Sequence, residues 1–226
     1  MKIKLLSFAL LLVMLATACK KEVIDIAQLT FNKPLDIDLN DYASRVENQN
    51  GHIEVSDGGF KTVDKGEKVV KYSFDEKESA NLKFAGAAIN PSFGAVITTY
   101  NNLLSFATFT VNAEQTAGSI QYLKKTFGKP DSAIVNNIVA EALSDKTKAI
   151  LKENFPEYYK EYKNDFNSVV VDYPQVTSWV KNDVLYRLTL DPVNNSLNFK
   201  LDIITKKAFE DAVIVGYHKN IDNPFK

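Results

Sequence analysis

The oxygens of Asp36, Asp38, Asn40 and Glu47 stand at positions 1, 3, 5 and 12 of a twelve-residue loop, the spacing that wraps a hard calcium ion. Two departures weaken that chemistry. Asp41 occupies the position where such a loop turns sharply on a glycine, and Ile37 and Leu39 are apolar where it is usually polar. An outward strand face followed by Asn40 as a helix cap accounts for the same residues, and no calcium or other cofactor is expected. His52 and His218 lie far apart, so a zinc site would need two carboxylates and a fold that joins both regions. Ser178 and Lys181 match an S-x-x-K string, but on a strand residues three apart face opposite sides. Glu153, Glu157 and Glu161 recur every four residues among lysines, which places them on one helix face. The acids of a glycosidase must instead face each other across a cleft. Helical spacing sends most of the aromatics between Phe155 and Trp179 to the core and leaves Tyr158 and Trp179 as candidates for a ring-stacking ligand surface. GxSxG, HExxH and glycine-rich phosphate motifs do not occur, so no catalytic residue is assigned.

The one cysteine stands in a different context. Lys2 and Lys4 give a positive start, residues 5–15 are apolar apart from Ser7, and Ala16, Thr17 and Ala18 are small. The run Leu15-Ala16-Thr17-Ala18-Cys19 resembles the lipobox of bacterial lipoproteins. That resemblance implies cleavage between Ala18 and Cys19 and a diacylglycerol on the Cys19 thiol. An apolar run of eleven residues reaches about half of a hydrocarbon core about 30 Å thick, and Lys20, Lys21 and Glu22 stop its extension. A spanning helix is therefore not expected. The acyl chains of such a lipoprotein would hold the membrane firmly, because two or more chains anchor where one does not. Lysine rather than aspartate follows Cys19, so the inner-membrane retention signal of some Gram-negative lipoproteins is missing. Lys20-Lys21-Glu22 also resembles the charged tags that export some lipoproteins to the surface. The expected place is the outer membrane, with the periplasmic or surface face left open.

A hydrophobic content of 45% with 11% aromatics is that of a folded chain. The formal charge is −1 and the charges are interspersed, which gives no basic stripe for nucleic acid. With its single thiol acylated the chain has no disulfide, no CxxC metal clip and no cysteine nucleophile. Stability must come from packing.

Several elements can be placed along the chain. Alternation at 35–40 predicts a strand, and a further strand starts at Ile53 and stops at 57–59. Residues 60–63 and 69–74 flank Asp64-Lys65-Gly66-Glu67 as a hairpin. Residues 84–113 carry no charge; strands at 94–100 and 103–111 are expected around Asn101-Asn102. Central strands covered on both faces explain that stretch, and an exposed groove or partner edge is the alternative. A helix over 113–127 stops at Gly128 and Pro130. Residues 134–142 fit strand or helix, with helix favoured. Ser144 caps a helix to about 154, and Pro156 starts another to 166 with Phe155, Tyr159, Tyr162 and Phe166 on one side. Strands follow at 169–173, 176–181, 184–190 and 197–205, with turns at 182–183 and 192–195. A helix over 206–215 closes the chain before a polar tail.

These elements predict an α+β fold, a largely antiparallel sheet with packed helices and a C-terminal β-meander. Residues 1–18 are the expected signal peptide, and 19–30 the lipidated cysteine with a short tether. Residues 31–226 form one α+β domain, or two halves meeting near 131–144. The function this supports is a membrane-anchored envelope lipoprotein that binds a partner protein or small ligand without catalysis. The alternative is an envelope hydrolase whose carboxylates are brought together by the fold. The expected partners are the membrane through the lipid and an envelope protein or small molecule, with no nucleic acid.

Overall fold

The computed structural model describes residues 22–48, 53–54, 60–61, 68–193, 196–211, 213 and 224–225. Cys19 and its signal, both histidines, the 64–67 loop and the 194–195 turn lie outside these described residues. In chain order the strands are β1 (Ile24–Asp25), β2 (Arg45–Asn48), β3 (Ile53–Glu54), β4 (Phe60–Lys61), β5 (Val69–Phe74), β6 (Leu82–Phe84) and β7 (Ala87–Ala88). They continue as β8 (Ala95–Tyr100), β9 (Leu103–Val111), β10 (Ser132–Val139), β11 (Lys160–Lys163), β12 (Val169–Lys181), β13 (Val184–Val193) and β14 (Ser196–Thr205). The helices are α1 (Glu76–Ser79), α2 (Thr116–Phe127), α3 (Asp145–Asn154) and α4 (Lys206–Glu210). The architecture is α+β, as the pattern predicts.

Nine strands form one sheet in the order β10-β12-β13-β14-β9-β8-β5-β2, with β11 also on β12 and every pairing antiparallel. The C-terminal meander runs through β12, β13 and β14. Two hairpins of the large sheet follow from turn chemistry. Asn101 and Asn102 take φ of 51° and 64°, and Asn182 and Asp183 take 52° and 60°. Asparagine and aspartate tolerate this left-handed region, and two such residues make the turn whose twist matches paired strands.

The sheet is covered on both faces along its middle. On one face α2 and α3 lay Ile120, Leu123, Leu151 and Phe155 onto Trp179, Leu188, Phe199 and Leu201. Phe84 packs there against Phe109, Tyr122 and Phe199. On the other face Val69, Tyr100, Phe106, Leu185 and Ile204 meet Ala208 of α4 and Val213. Strands β8 and β9 carry residues of both clusters, which is why the 84–113 stretch has no charge.

Several elements differ from the expectations. No strand forms over 35–40; Asp38 instead accepts from the Asn40 amide and caps a 3₁₀ turn at Leu39–Asp41. Residues 60–61 pair with 53–54, while β5 lies between β2 and β8, so the 60–63 and 69–74 hairpin does not form. The helix favoured over 134–142 is strand β10 as far as Val139, because Ile134, Val135, Ile138 and Val139 are β-branched and stiff at χ1, and a 3₁₀ turn follows at Ala140–Ala142. The helix expected after Pro156 is a turn followed by β11. There the Tyr162 hydroxyl donates to Asp172 across the strand pair at 3.1 Å. An Asn164 side chain accepting from Phe166 and Ser168 closes the chain back.

The two strands expected at 169–173 and 176–181 are one strand. The bulge lies at Gln175, where Ile134 and Val135 face Val176 and Pro174. Strand β13 runs through Pro192 to Val193 instead of turning at 192; that end pairs with β14 alone among the described strands, where a proline costs no sheet bond. The closing helix stops at Glu210. Ile24 and Ile26 are already buried, so packing begins within the expected tether.

Phe106 tests the burial of this middle. Phe106→Ala should lower the unfolding free energy by about 3–5 kcal/mol in urea titrations. A loss under about 1 kcal/mol with the fold intact would turn this face into an open groove.

Candidate functional site

The N-terminal stretch is irregular, yet fixed at several points. Ile24 donates to the Asn81 carbonyl at 2.9 Å, and β1 lies parallel to β6. Asp25 fastens this edge with both carboxylate oxygens. Its Oδ1 accepts from the Ala27 and Ala85 amides at 3.1 and 2.8 Å, and its Oδ2 from Gly86 at 2.9 Å. Ala85 and Gly86 form the left-handed turn between β6 and β7, with φ of 51° and 81°. Further along, Asn32 donates to Leu104, and Leu104 donates back to Lys33.

Between these fastenings the chain curls around a cleft of about 330 Å³. Its size is that of a small-molecule site. Val23, Leu29, Leu35, Ile37 and Tyr42 supply apolar lining, while Glu22, Gln28, Thr30 and Asp36 supply polar groups. Among the described residues the lining contains acids and no lysine, arginine or histidine. It suits a molecule with an apolar body and a neutral or cationic polar end. Tyr72 stands near this stretch, its phenol pushed above the ordinary value by burial and then by the charge of Asp38.

The calcium candidates take separate tasks. Asp36 lines the cleft, Asp38 caps the 3₁₀ turn through the Asn40 amide, and Asn40 also donates its side-chain amide to Asp38. Glu47 sits on β2 and pairs with Lys71 at 3.4 Å and Arg45 at 3.7 Å. Among the described residues no group of three or more His, Cys, Asp or Glu could hold a metal ion. Trp179 is not exposed: its ring is fully buried and its Nε1 donates to the Gly128 carbonyl at 3.0 Å. Tyr158 is half-buried against the main core. Ser178 and Lys181 share β12, where Lys181 pairs with Asp131 at 3.9 Å. Glu153 lies on α3, Glu157 in the following turn and Glu161 on β11, so they do not share a helix face. Asp75 is held below its ordinary value, chiefly by a side-chain hydrogen bond with Glu78, which is opposite to what a general acid needs.

Sequence reasoning missed Leu29, Gln28 and Tyr42. Leu35 and Ile37 were visible as an alternation, but that alternation arises because they line the cleft while Leu39 is buried beside them. Compared with family models, curated proteins and solved structures, the chain matches none.

Asp25 is the residue to remove. Asp25→Ala leaves three amides without their acceptor and should cost about 2–4 kcal/mol in urea unfolding. Hydrogen exchange at Ala85 and Gly86 should accelerate first. Unchanged stability and unchanged exchange at these two amides would show that the carboxylate does not hold this edge.

Proposed function

We propose that the chain is a lipid-anchored protein of the bacterial envelope whose cleft binds a small amphipathic molecule without catalysis. The observation that carries the reading is position. The cleft begins at Glu22, three residues beyond the cysteine of the lipobox-like run. Three extended residues reach at most about 11 Å, so an acylated Cys19 keeps the cleft at the membrane surface. Of the acids in the lining, Asp25 is engaged by three backbone amides, which favours binding over acid–base chemistry. No helix among the described residues is long and apolar enough to cross a membrane. Lys20 after the cysteine, in place of aspartate, supports the outer membrane as the place of attachment.

Two experiments test the parts separately. Cys19→Ser removes the acceptor thiol and should move the protein from the detergent phase to the aqueous phase; unchanged partitioning refutes the anchor. The cleft is probed with Nile red, a neutral apolar dye. Ile37→Trp fills the space and should weaken dye binding at least about fivefold while stability stays within about 1 kcal/mol. Equal binding by both proteins would place the dye, and the proposed site, elsewhere.

A further inference from the structure

The small sheet β1-β6-β7 sets where the chain enters the body. Ile24 stands beside Leu82 on one side, and on the other the Ile89 amide donates to the Leu82 carbonyl at 3.5 Å. Two strand spacings put Ile24 and Ile89 about 10 Å apart. Because β1 runs parallel to β6 and β7 antiparallel to it, Val23 before Ile24 and Asn90 after Ile89 lie at the same end of this sheet. Cys19 precedes Val23 by four residues, which reach at most about 14 Å when extended, so the cysteine stays close to that end.

The turn that follows there has little freedom. The Asn90 amide donates to the Thr110 carbonyl at 2.7 Å, and the Asn90 carbonyl accepts from the Phe93 amide at 3.2 Å. The Asn90 side chain accepts from the Ser92 amide at 3.0 Å, and the Pro91 carbonyl from Gly94 at 3.3 Å. Gly94 closes the turn with φ of 62°, so near the Phe74 carbonyl that a Cβ would collide with it. This fixed backbone holds Phe93 outward, 62% exposed, at the end where Val23 is also exposed. A benzyl group held in water forgoes the gain of burial, so its held position contributes little to the fold. We propose, on the reading that Cys19 is acylated, that Phe93 enters the surface of the lipid layer to which the chain is anchored. Acyl chains on one residue hold a protein to a membrane but leave it free to turn on its tether, and a second apolar contact selects the end that faces the lipid. Val23 and Ile24 also line the cleft, so the same contact brings the cleft against the headgroups.

The test uses the protein purified from membranes and reconstituted into phosphatidylcholine vesicles. Phe93→Trp places a reporter at the turn, and an unchanged urea midpoint shows that the fold is kept. The unsubstituted protein, whose only tryptophan is the buried Trp179, supplies the baseline to subtract. With lipid brominated near the headgroup, the added emission of Phe93→Trp should fall by at least about half, because a ring at the headgroup boundary lies within reach of the bromines. Iodide in the water should quench it less in vesicles than in detergent-free solution of the Cys19→Ser form. Vesicle flotation reads the anchor separately. A protein that floats while its Phe93→Trp emission ignores the bromines and stays open to iodide overturns the proposal and leaves the anchor standing. A protein that does not float refutes the anchor, and the membrane contact of Phe93 falls with it.

Discussion

The pairing of β9 with β14 is the constraint on which the large sheet depends. On one side of this seam lie β8, β5 and β2, and on the other β13, β12, β11 and β10. Residues 106–111 meet 199–204 there, and the Thr108 hydroxyl donates to Asp202, 94 positions away, at 2.6 Å. A seam in the middle of a sheet has no solvent on either face, so both clusters of apolar residues meet at it. The register is strongly specified. Asp202 is 4% exposed and lies opposite Thr108 and Arg187, on the face away from the main core. A slip of one residue would turn that carboxylate into the core among phenylalanines, where a charge without partners is costly.

What the sequence makes legible is local. The Asn-Asn and Asn-Asp turns, the Ser144 cap and the Gly128 stop each act within a few residues, and each element they bound is found. The misreadings come from patterns that two conformations satisfy. Tyr159, Tyr162 and Phe166 fit a helix face, yet the chain leaves the helix at Phe155 and uses Tyr162 in a strand, with Phe166 88% exposed. Burial of Trp179 depends on Gly128, 51 positions away, and nothing in the adjoining residues announces it. Strand position within a sheet is equally silent: β10 and β9 are both uncharged, and one is an edge while the other is the middle.

The cleft was legible in one part. Asp36 stood out for its oxygens, and the structure gives it a place in the lining. The rest depends on a stretch with little regular structure, held by backbone amides that accept no pattern in sequence. Asp25 holds Ala85 and Gly86 across 60 and 61 positions, a relation that only the folded chain creates. Irregular chain fixed by a rigid scaffold is a common setting for binding sites.

The seam also orders events in time. Until β14 has been made, β9 has β8 on one side and nothing on the other, and its apolar residues wait for a partner near the far end of the chain. Closing so long a loop must be met in entropy before any seam contact rewards it. Strands β8 and β9 can close as a local hairpin early, whereas the full sheet is a late, slow product of folding.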